Sequence, residues 1–373
     1  MTRRGLVLGG GGVLGAAWMV GALGALEDSL GIDVRDSEQI VGTSAGSVLA
    51  ALIGAGVGVG DLRRHQLGEP LTSGPLVGFA WDYETATGGA RPPRPRPGLG
   101  STAMLSQGVS RLRRLPPVVV LTALMPEGRG SLDSVGALVR HVVPHGWAPR
   151  DGVQVVATDY ETGHRVAFGR DGAPPASLAE AVMASCAIPS WYQPVRIDHA
   201  RYIDGGACSA TSVDLLAGAG LDEVVVIAPS VSFALDEPDG FAERLERQWR
   251  TRVTRRCLRE VARVHAGGTD VTVLGPGPED LAAIGSNLMD VGRRGAVLRT
   301  SSRTSAAALL DPEPLDALPE RVRVAERATG AEPDLDAEVS SSHAPVDVLP
   351  SQAGTADDTR HPTSSRRRPR EQD

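Results

Sequence analysis

Residues Gly42-Thr43-Ser44-Ala45-Gly46 set a serine between two glycines, directly after the apolar pair Ile40-Val41. A GxSxG turn between a strand and a helix exposes the serine hydroxyl with no bulky neighbour, which suits a nucleophile in acyl transfer. The pattern alone does not select that role. The chain holds 45 glycines, and small-residue turns of this kind also serve the backbone alone. Acyl transfer needs two further parts: N–H donors aimed at the developing oxyanion, and a base for the serine proton.

The run Gly9-Gly10-Gly11-Gly12, with Gly15 beyond, can supply the donors. Successive N–H groups at the start of a helix hold an anion, and glycines let the backbone approach closely. On a strand adjacent to the serine turn, the amides of Gly10, Gly11 and Gly12 would form an oxyanion hole, where losing one donor costs about 3 kcal/mol. Residues Gly10 to Gly15 also satisfy GxGxxG formally. The dinucleotide reading lacks a second strand ending in an acid about twenty residues on. The phosphate-loop reading lacks its Gly-Lys-Ser/Thr.

The base is less determined. None of the eight histidines lies in a catalytic local motif: His65 precedes a loop, His199 lies in a hairpin turn and His265 ends a helix. Asp204 stands at the end of a strand before Gly205-Gly206, a turn that exposes a carboxylate. An ordinary aspartate, with a pKa of about 4, is a weak base. Burial or a hydrogen bond to the serine hydroxyl would tune it. The same Asp-Gly pair also makes an ordinary turn, so residue types leave open both Asp204 and a distant histidine such as His265.

Two strand–turn–helix units position these parts. Leu6-Val7-Leu8 reads as a buried strand, followed by a helix over 16–30 through Met19, Leu23 and Leu26. Ile40-Val41 leads through the serine turn into an apolar helix over 47–54. This repetition predicts a mostly parallel α/β sheet. Further strands are expected at 153–157, 165–168, 201–203, 224–227 and 271–274. Helices are expected at 132–143, 178–186, 213–219, 241–265, 278–284 and 287–298. Residues 68–100 break the rhythm, because Arg91-Pro92-Pro93-Arg94-Pro95-Arg96-Pro97 suits neither helix nor strand; they read as a loop or lid bordering the acyl site. Beyond 328 the apolar period is lost, and residues 328–373 read as a disordered tail outside the fold.

The helix over 241–265 carries an apolar stripe of Leu245, Trp249, Val253, Cys257, Val261 and Val264. Arg244, Arg247, Arg250, Arg255, Arg259 and Arg263 cover much of the rest. The arginines form either a solvated face or a cationic surface for anionic lipid.

The 373 residues carry 38 basic and 45 acidic side chains, a net charge of −7, and only 3% are aromatic. That balance argues against a nucleic-acid partner, since base-stacking platforms are hard to build. Cys186, Cys208 and Cys257 fit neither a disulfide framework nor a metal cluster, so buried free thiols are expected, with no metal and no cofactor. The first strand begins almost at Met1, leaving no separate leader, and there is no run of eighteen apolar residues. The expected location is cytoplasmic, with peripheral membrane contact through the basic helix 241–265.

Taken in order, four blocks resemble the patatin-like phospholipase family of serine acyl hydrolases. They are Gly9-Gly10-Gly11-Gly12-Val13-Leu14-Gly15, the serine turn, Ala157-Thr158-Asp159-Tyr160-Glu161-Thr162-Gly163, and a last block from Ala184-Ser185-Cys186-Ala187-Ile188-Pro189 to Ile203-Asp204-Gly205-Gly206. The resemblance covers residues 5–230. It implies a three-layer α/β/α sandwich with a mostly parallel central sheet, within an acyl hydrolase domain over 1–310 whose helical C-terminal part spans 237–310. It implies a dyad of Ser44 and Asp204 without histidine, an oxyanion hole from Gly10, Gly11 and Gly12, and lipid esters as substrates, either phospholipid or acylglycerol. One position departs from the family pattern. Leu14 stands where Arg or Lys is usual, which weakens a preference for anionic headgroups and leaves room for neutral esters. The remaining alternatives are a Ser–His esterase and a non-catalytic lipid-binding protein on the same fold.

Overall fold

The structure is a computed structural model that describes residues 2–310 except 88, 90, 109–111 and 237, all within one compact unit. The tail expected over 328–373 lies outside the described residues. The strands are β1 (Arg4–Leu8), β2 (Gln39–Thr43), β3 (Val153–Asp159), β4 (Arg165–Phe168), β5 (Val195–Ile197), β6 (Ala200–Asp204), β7 (Glu223–Ile227) and β8 (Asp270–Leu274). The α-helices are α1 (Gly12–Leu30), α2 (Ala45–Gly54), α3 (Val59–Leu67), α4 (Thr102–Leu105), α5 (Pro117–Leu124) and α6 (Asp133–Val142), then α7 (Leu178–Ser185), α8 (Phe241–His265), α9 (Pro278–Ile284) and α10 (Arg294–Leu310).

Strands that are apolar at every position must bury both faces. In β1, β2 and β7 alternate residues do this on opposite sides. Leu6, Leu8, Ile40, Val225 and Ile227 pack with α1, α2 and α10. Val7, Val41, Val224 and Val226 pack with Cys257, Val261 and Val264 of α8 and with the turn at Val213–Leu216. The result is the three-layer α/β/α sandwich expected. Strands β3, β2, β1, β7 and β8 run parallel in that order; β4 and β6 pair antiparallel with β3, and β5 with β6.

The register along β3 positions the site. Residues 155–156 pair with both β2 and β4, and residues 157–158 with both β4 and β6. Since a strand has two edges, β4 occupies one, and β2 and β6 must share the other. They meet end to end there: Thr43, the last residue of β2, pairs with Val156, and Asp204, the last of β6, pairs with Ala157. Two sequence-distant strand ends are thus brought together.

α1 is long and apolar enough to cross a membrane, yet Leu14, Trp18, Met19, Leu23 and Leu26 are fully buried in the core. Gly21 lets α10 approach, since a Cβ there would lie 2.6 Å from the Leu298 carbonyl oxygen.

Some elements differ from expectation. Residues 213–219 form only a single 3-10 turn, Val213–Leu216, and the last helix starts at Arg294 rather than near 287. Helices α3, α4 and α5 and strand β5 were not anticipated. In α3 only Val59, Leu62 and Gln66 are buried, too sparse a pattern to read as a helix; α5 is rich in valine, which favours strands, but Pro117 at its first position starts a helix. The described part of 68–100 has neither helix nor strand, as its prolines predict.

Candidate active site

Ser44 joins β2 to α2 with φ 52° and ψ −123°, a conformation that side-chain-bearing residues rarely adopt and that costs roughly 1–3 kcal/mol. Close packing enforces it. A Cβ on Gly46 would lie 1.9 Å from the Leu8 carbonyl oxygen, and one on Gly42 2.6 Å from that of Gly46, so only glycine fits at either position. The Ser44 N–H donates to Ser185 Oγ at 2.8 Å, and Ser185 Oγ donates to the Val156 carbonyl at 2.6 Å. The Ser44 carbonyl accepts from Ser47 Oγ at 2.6 Å and from Cys186 Sγ at 3.3 Å. With the backbone so held, the hydroxyl reaches the neighbouring strand end: Ser44 Oγ donates to Asp204 Oδ2 at 2.7 Å.

Asp204 is only 6% exposed. Its N–H donates to the Ala187 carbonyl at 3.0 Å, its carbonyl accepts from Thr158 Oγ1 at 3.1 Å, and Oδ1 accepts the Gly206 N–H at 2.7 Å. Burial pushes its pKa up from 3.8 to about 6, with the hydrogen bonds from Ser44 and Gly206 pulling the other way. The carboxylate is therefore ionised at neutral pH but far more basic than a solvated aspartate. Burial, reinforced by the charge of Asp204, also pushes the Cys186 thiol up, which keeps it neutral. All three cysteines are free and buried.

In the glycine loop, Gly10 departs from the expected donor set. Its N–H donates to the Ala210 carbonyl at 2.8 Å, and its own carbonyl accepts from Ser230 Oγ at 2.6 Å. Gly10 instead gives Ser44 room: a Cβ there would lie 3.3 Å from Ser44 Cβ. Gly11 caps α1 and Gly12, at φ 62°, opens it, so their N–H groups precede any intrahelical acceptor. Leu14 is fully buried and its N–H donates to the Leu288 carbonyl. The position that resemblance associates with a cation is here part of the core.

Ser44 opens onto a cavity of about 820 Å3, including its mouth, lined by Val48, Leu49 and Leu52 of α2 and by Val135 and Leu138 of α6. Its apolar wall suits an alkyl chain. Trp81, Tyr83 and Thr87 also line it, so the irregular segment 68–100 borders the cavity. Of the histidines singled out from sequence, His65 lines the cavity, whereas His265 is exposed, with Nδ1 3.2 Å from the Thr269 carbonyl oxygen, and His199 is exposed beside Asp198. The Ser44 hydroxyl is bonded to the aspartate, not to a histidine.

Sequence reasoning missed Ser185, Thr158, Ser230 and the Ala210 carbonyl. Ser185 and Thr158 lie within two of the resembling blocks, where their hydroxyls were a usable signal. Nothing in the sequence marks a carbonyl at 210.

The basic helix α8 is less basic at its surface than its composition suggests. Arg250 is fully buried, donating to the Pro229 carbonyl at 2.6 Å and pairing with Glu246; Arg247 is buried between Asp236 and Glu246. The apolar stripe also divides. Cys257, Val261 and Val264 are buried, while Leu245 and Trp249, joined by Phe241, are exposed.

A glycine-flanked serine at a strand-to-helix turn, hydrogen-bonded to a buried carboxylate beside an apolar cavity, has the parts that acyl-transfer chemistry uses. The chain belongs to the patatin-like phospholipase family: the family model matches residues 6–217, a span that includes the glycine loop, Ser44 and Asp204. Lipid hydrolysis is the activity that membership carries at the level of the family. Solved structures similar to the chain include VipD from Legionella pneumophila, at 14% identity and a TM-score of 0.40, covering 83% of this chain and 67% of that one. The type III effector protein ExoU is similar at 15% identity and a TM-score of 0.32, with 83% and 53% covered, so this chain spans about half its length. No curated protein matches the chain.

Proposed function

We propose that the protein hydrolyses carboxylic esters of lipids through a Ser44–Asp204 dyad. The observation that carries this reading is the 2.7 Å hydrogen bond from Ser44 Oγ to a buried carboxylate of raised pKa. Asp204 accepts the hydroxyl proton as Oγ attacks the ester carbonyl, and the Gly11 and Gly12 N–H groups stabilise the oxyanion. Protonated Asp204 returns that proton to the leaving alcohol. A water then loses its proton to Asp204, attacks the acyl-serine and frees the acid, with Ser44 recovering its proton. The apolar cavity takes the acyl chain. With Leu14 buried in the core, nothing at that position favours an anionic headgroup over a neutral ester.

Fluorophosphonate labelling and ester turnover test the reading. Ser44→Ala should abolish both, and Asp204→Asn should reduce turnover by about 10⁴-fold, on the scale of removing a member of a catalytic unit. His265→Ala should leave turnover intact. Loss of turnover in His265→Ala with activity retained in Asp204→Asn would return the base to a histidine.

A peripheral membrane role for α8 is favoured by one observation: Phe241, Leu245 and Trp249 form an exposed ridge at i, i+4 and i+8, flanked by exposed Arg244, Arg252 and Arg255. Co-sedimentation with phosphatidylglycerol-containing vesicles should fall about tenfold in Leu245→Asp. Unchanged binding would remove α8 from the membrane surface. A non-catalytic lipid-binding protein would bind vesicles and give no covalent adduct at Ser44.

A further inference from the structure

Helix α5 carries no charged residue along its length, yet only one side of it is covered. Val119 and Ala123 pack with Met104, Leu115 and Tyr160. On the other side Val118, Leu121 and Leu124, at i, i+3 and i+6, are each about half exposed. Leu99 is exposed to the same degree, and the N–H groups of Gly100 and Ser101 after it donate to the Ala123 carbonyl, which sets it beside the end of α5. A helix that is apolar all round is normally enclosed by protein or lipid, and an exposed apolar patch marks a binding surface.

The charge around this patch has one sign. Between Glu84 and Glu127 the sequence has no acidic residue, and Arg91, Arg94, Arg96, Arg111, Arg113 and Arg114 all fall there, in a chain whose net charge is −7. Arg91, Arg94, Arg96 and Arg113 are exposed and form no ion pair among the described residues. The Arg96 N–H donates to the Glu127 carbonyl at 2.8 Å, so the Pro/Arg segment runs past the C-terminal end of α5, while Arg113 and Arg114 lead into its start. Glu127 itself is neutralised by Arg201 at 2.5 Å. An apolar helix side bordered by guanidinium groups complements acyl chains under anionic headgroups.

The patch also lies at the Ser44 end of the sheet. Ser44 follows the last residue of β2; Tyr160 follows the last residue of β3, which runs parallel to β2, and its hydroxyl donates to the Thr122 carbonyl of α5 at 3.2 Å. Just beyond α5 the Pro126 carbonyl accepts from Ser190 Oγ at 2.9 Å, two residues before Tyr192, which lines the Ser44 cavity.

We propose that the exposed side of α5, with Leu99 and the arginines of 91–114, docks on a bilayer surface that carries anionic lipid. This surface is separate from the α8 ridge, and it does not depend on Ser44 being a nucleophile.

The test uses full-length Ser44→Ala protein and vesicles of phosphatidylglycerol in phosphatidylcholine. A nitrobenzoxadiazole label placed by Leu121→Cys should shift to the blue on these vesicles; the native cysteines are buried, so the label goes to the new thiol. The same label placed by Leu30→Cys, exposed at the far end of α1, should not shift. In co-sedimentation, Leu121→Asp should weaken binding about tenfold, and Arg94→Gln and Arg96→Gln about fivefold each, with Tm unchanged. A silent label at 121, or equal shifts at 121 and 30, overturns the proposal. So does binding that is lost in Leu245→Asp but kept in Leu121→Asp, which leaves the membrane to α8 alone. A label at 121 already blue-shifted without vesicles also overturns it, because another part of this chain, or a second copy, then covers the face.

Discussion

The floor of the cavity and its α3 side are built on opposite principles. Around Ser44, the serine N–H, carbonyl and hydroxyl and both Asp204 carboxylate oxygens are all hydrogen-bonded within the protein. On the wall made by α3 and residues 81–87, four buried polar atoms have no partner among the described residues. The floor comes from strand ends fixed by the sheet register; the wall comes from a short helix and a segment without regular structure. On the proposed chemistry, reacting atoms need geometry fixed in advance, which the hydrogen bonds around Ser44 supply; the wall carries no such demand.

The contrast breaks most visibly in stability. Gly46→Ala drives a Cβ into the Leu8 carbonyl, and loss of more than about 4 kcal/mol, read as failure to give a folded protein or a collapse of Tm, is expected. Thr87→Val on the wall should leave Tm within about 2 °C, since it removes a hydroxyl that has no partner among the described residues. A tolerant Gly46 position would mean that the floor is not over-determined by packing.

The pH dependence of Asp204 sharpens the same comparison. Its folded pKa is raised, so the stability it contributes is complete below 3.8 and lost as pH rises through about 6. That interval corresponds to roughly 3 kcal/mol. Asp204→Asn should therefore equal the parent in stability near pH 4 and gain on it up to pH 7, in urea melts at stepped pH. Turnover of the parent should move the opposite way, rising through pH 6 as the carboxylate ionises. A stability difference that does not change with pH would separate Asp204 from the titration.

Ser185→Ala is the smallest of these effects. It leaves the buried Ser44 N–H without an acceptor, which costs about 1–3 kcal/mol. As Ser185 positions the serine rather than touching substrate, kcat should fall about tenfold with KM little changed, and Ser185→Thr should restore part of it. Equal loss in both variants would indicate a merely structural hydroxyl.

The serine turn, the Asp-Gly-Gly turn and the apolar strands are local patterns, so residue order alone makes them legible. Gly42 and Gly46 carry a steric demand that appears directly as residue type. The join of β2 and β6 along one edge of β3 is not legible in this way, because it depends on which residues of β3 each strand pairs with. Gly10 looks like its neighbours in the sequence, and only the approach of the Ala210 carbonyl sets it apart. Arg247 and Arg250 read as solvated because a sequence does not show that Asp236, Glu246 and the Pro229 carbonyl will surround them. The α3 wall escapes notice for the same reason: a sequence does not show that His65, Gln66, Trp81 and Thr87 meet beside one cavity.

The end-to-end meeting of β2 and β6 also sets a schedule for synthesis. Ser44 and Asp204 stand 160 positions apart, and the aspartate closes a strand of only five residues. A chain stalled on the ribosome before residue 200 already carries its glycine loop and serine, but no carboxylate to take the proton. On the proposed chemistry such a fragment lacks its base, and the glycine loop still awaits the Ala210 carbonyl, the Ser230 hydroxyl and β7, all of which are made after Asp204.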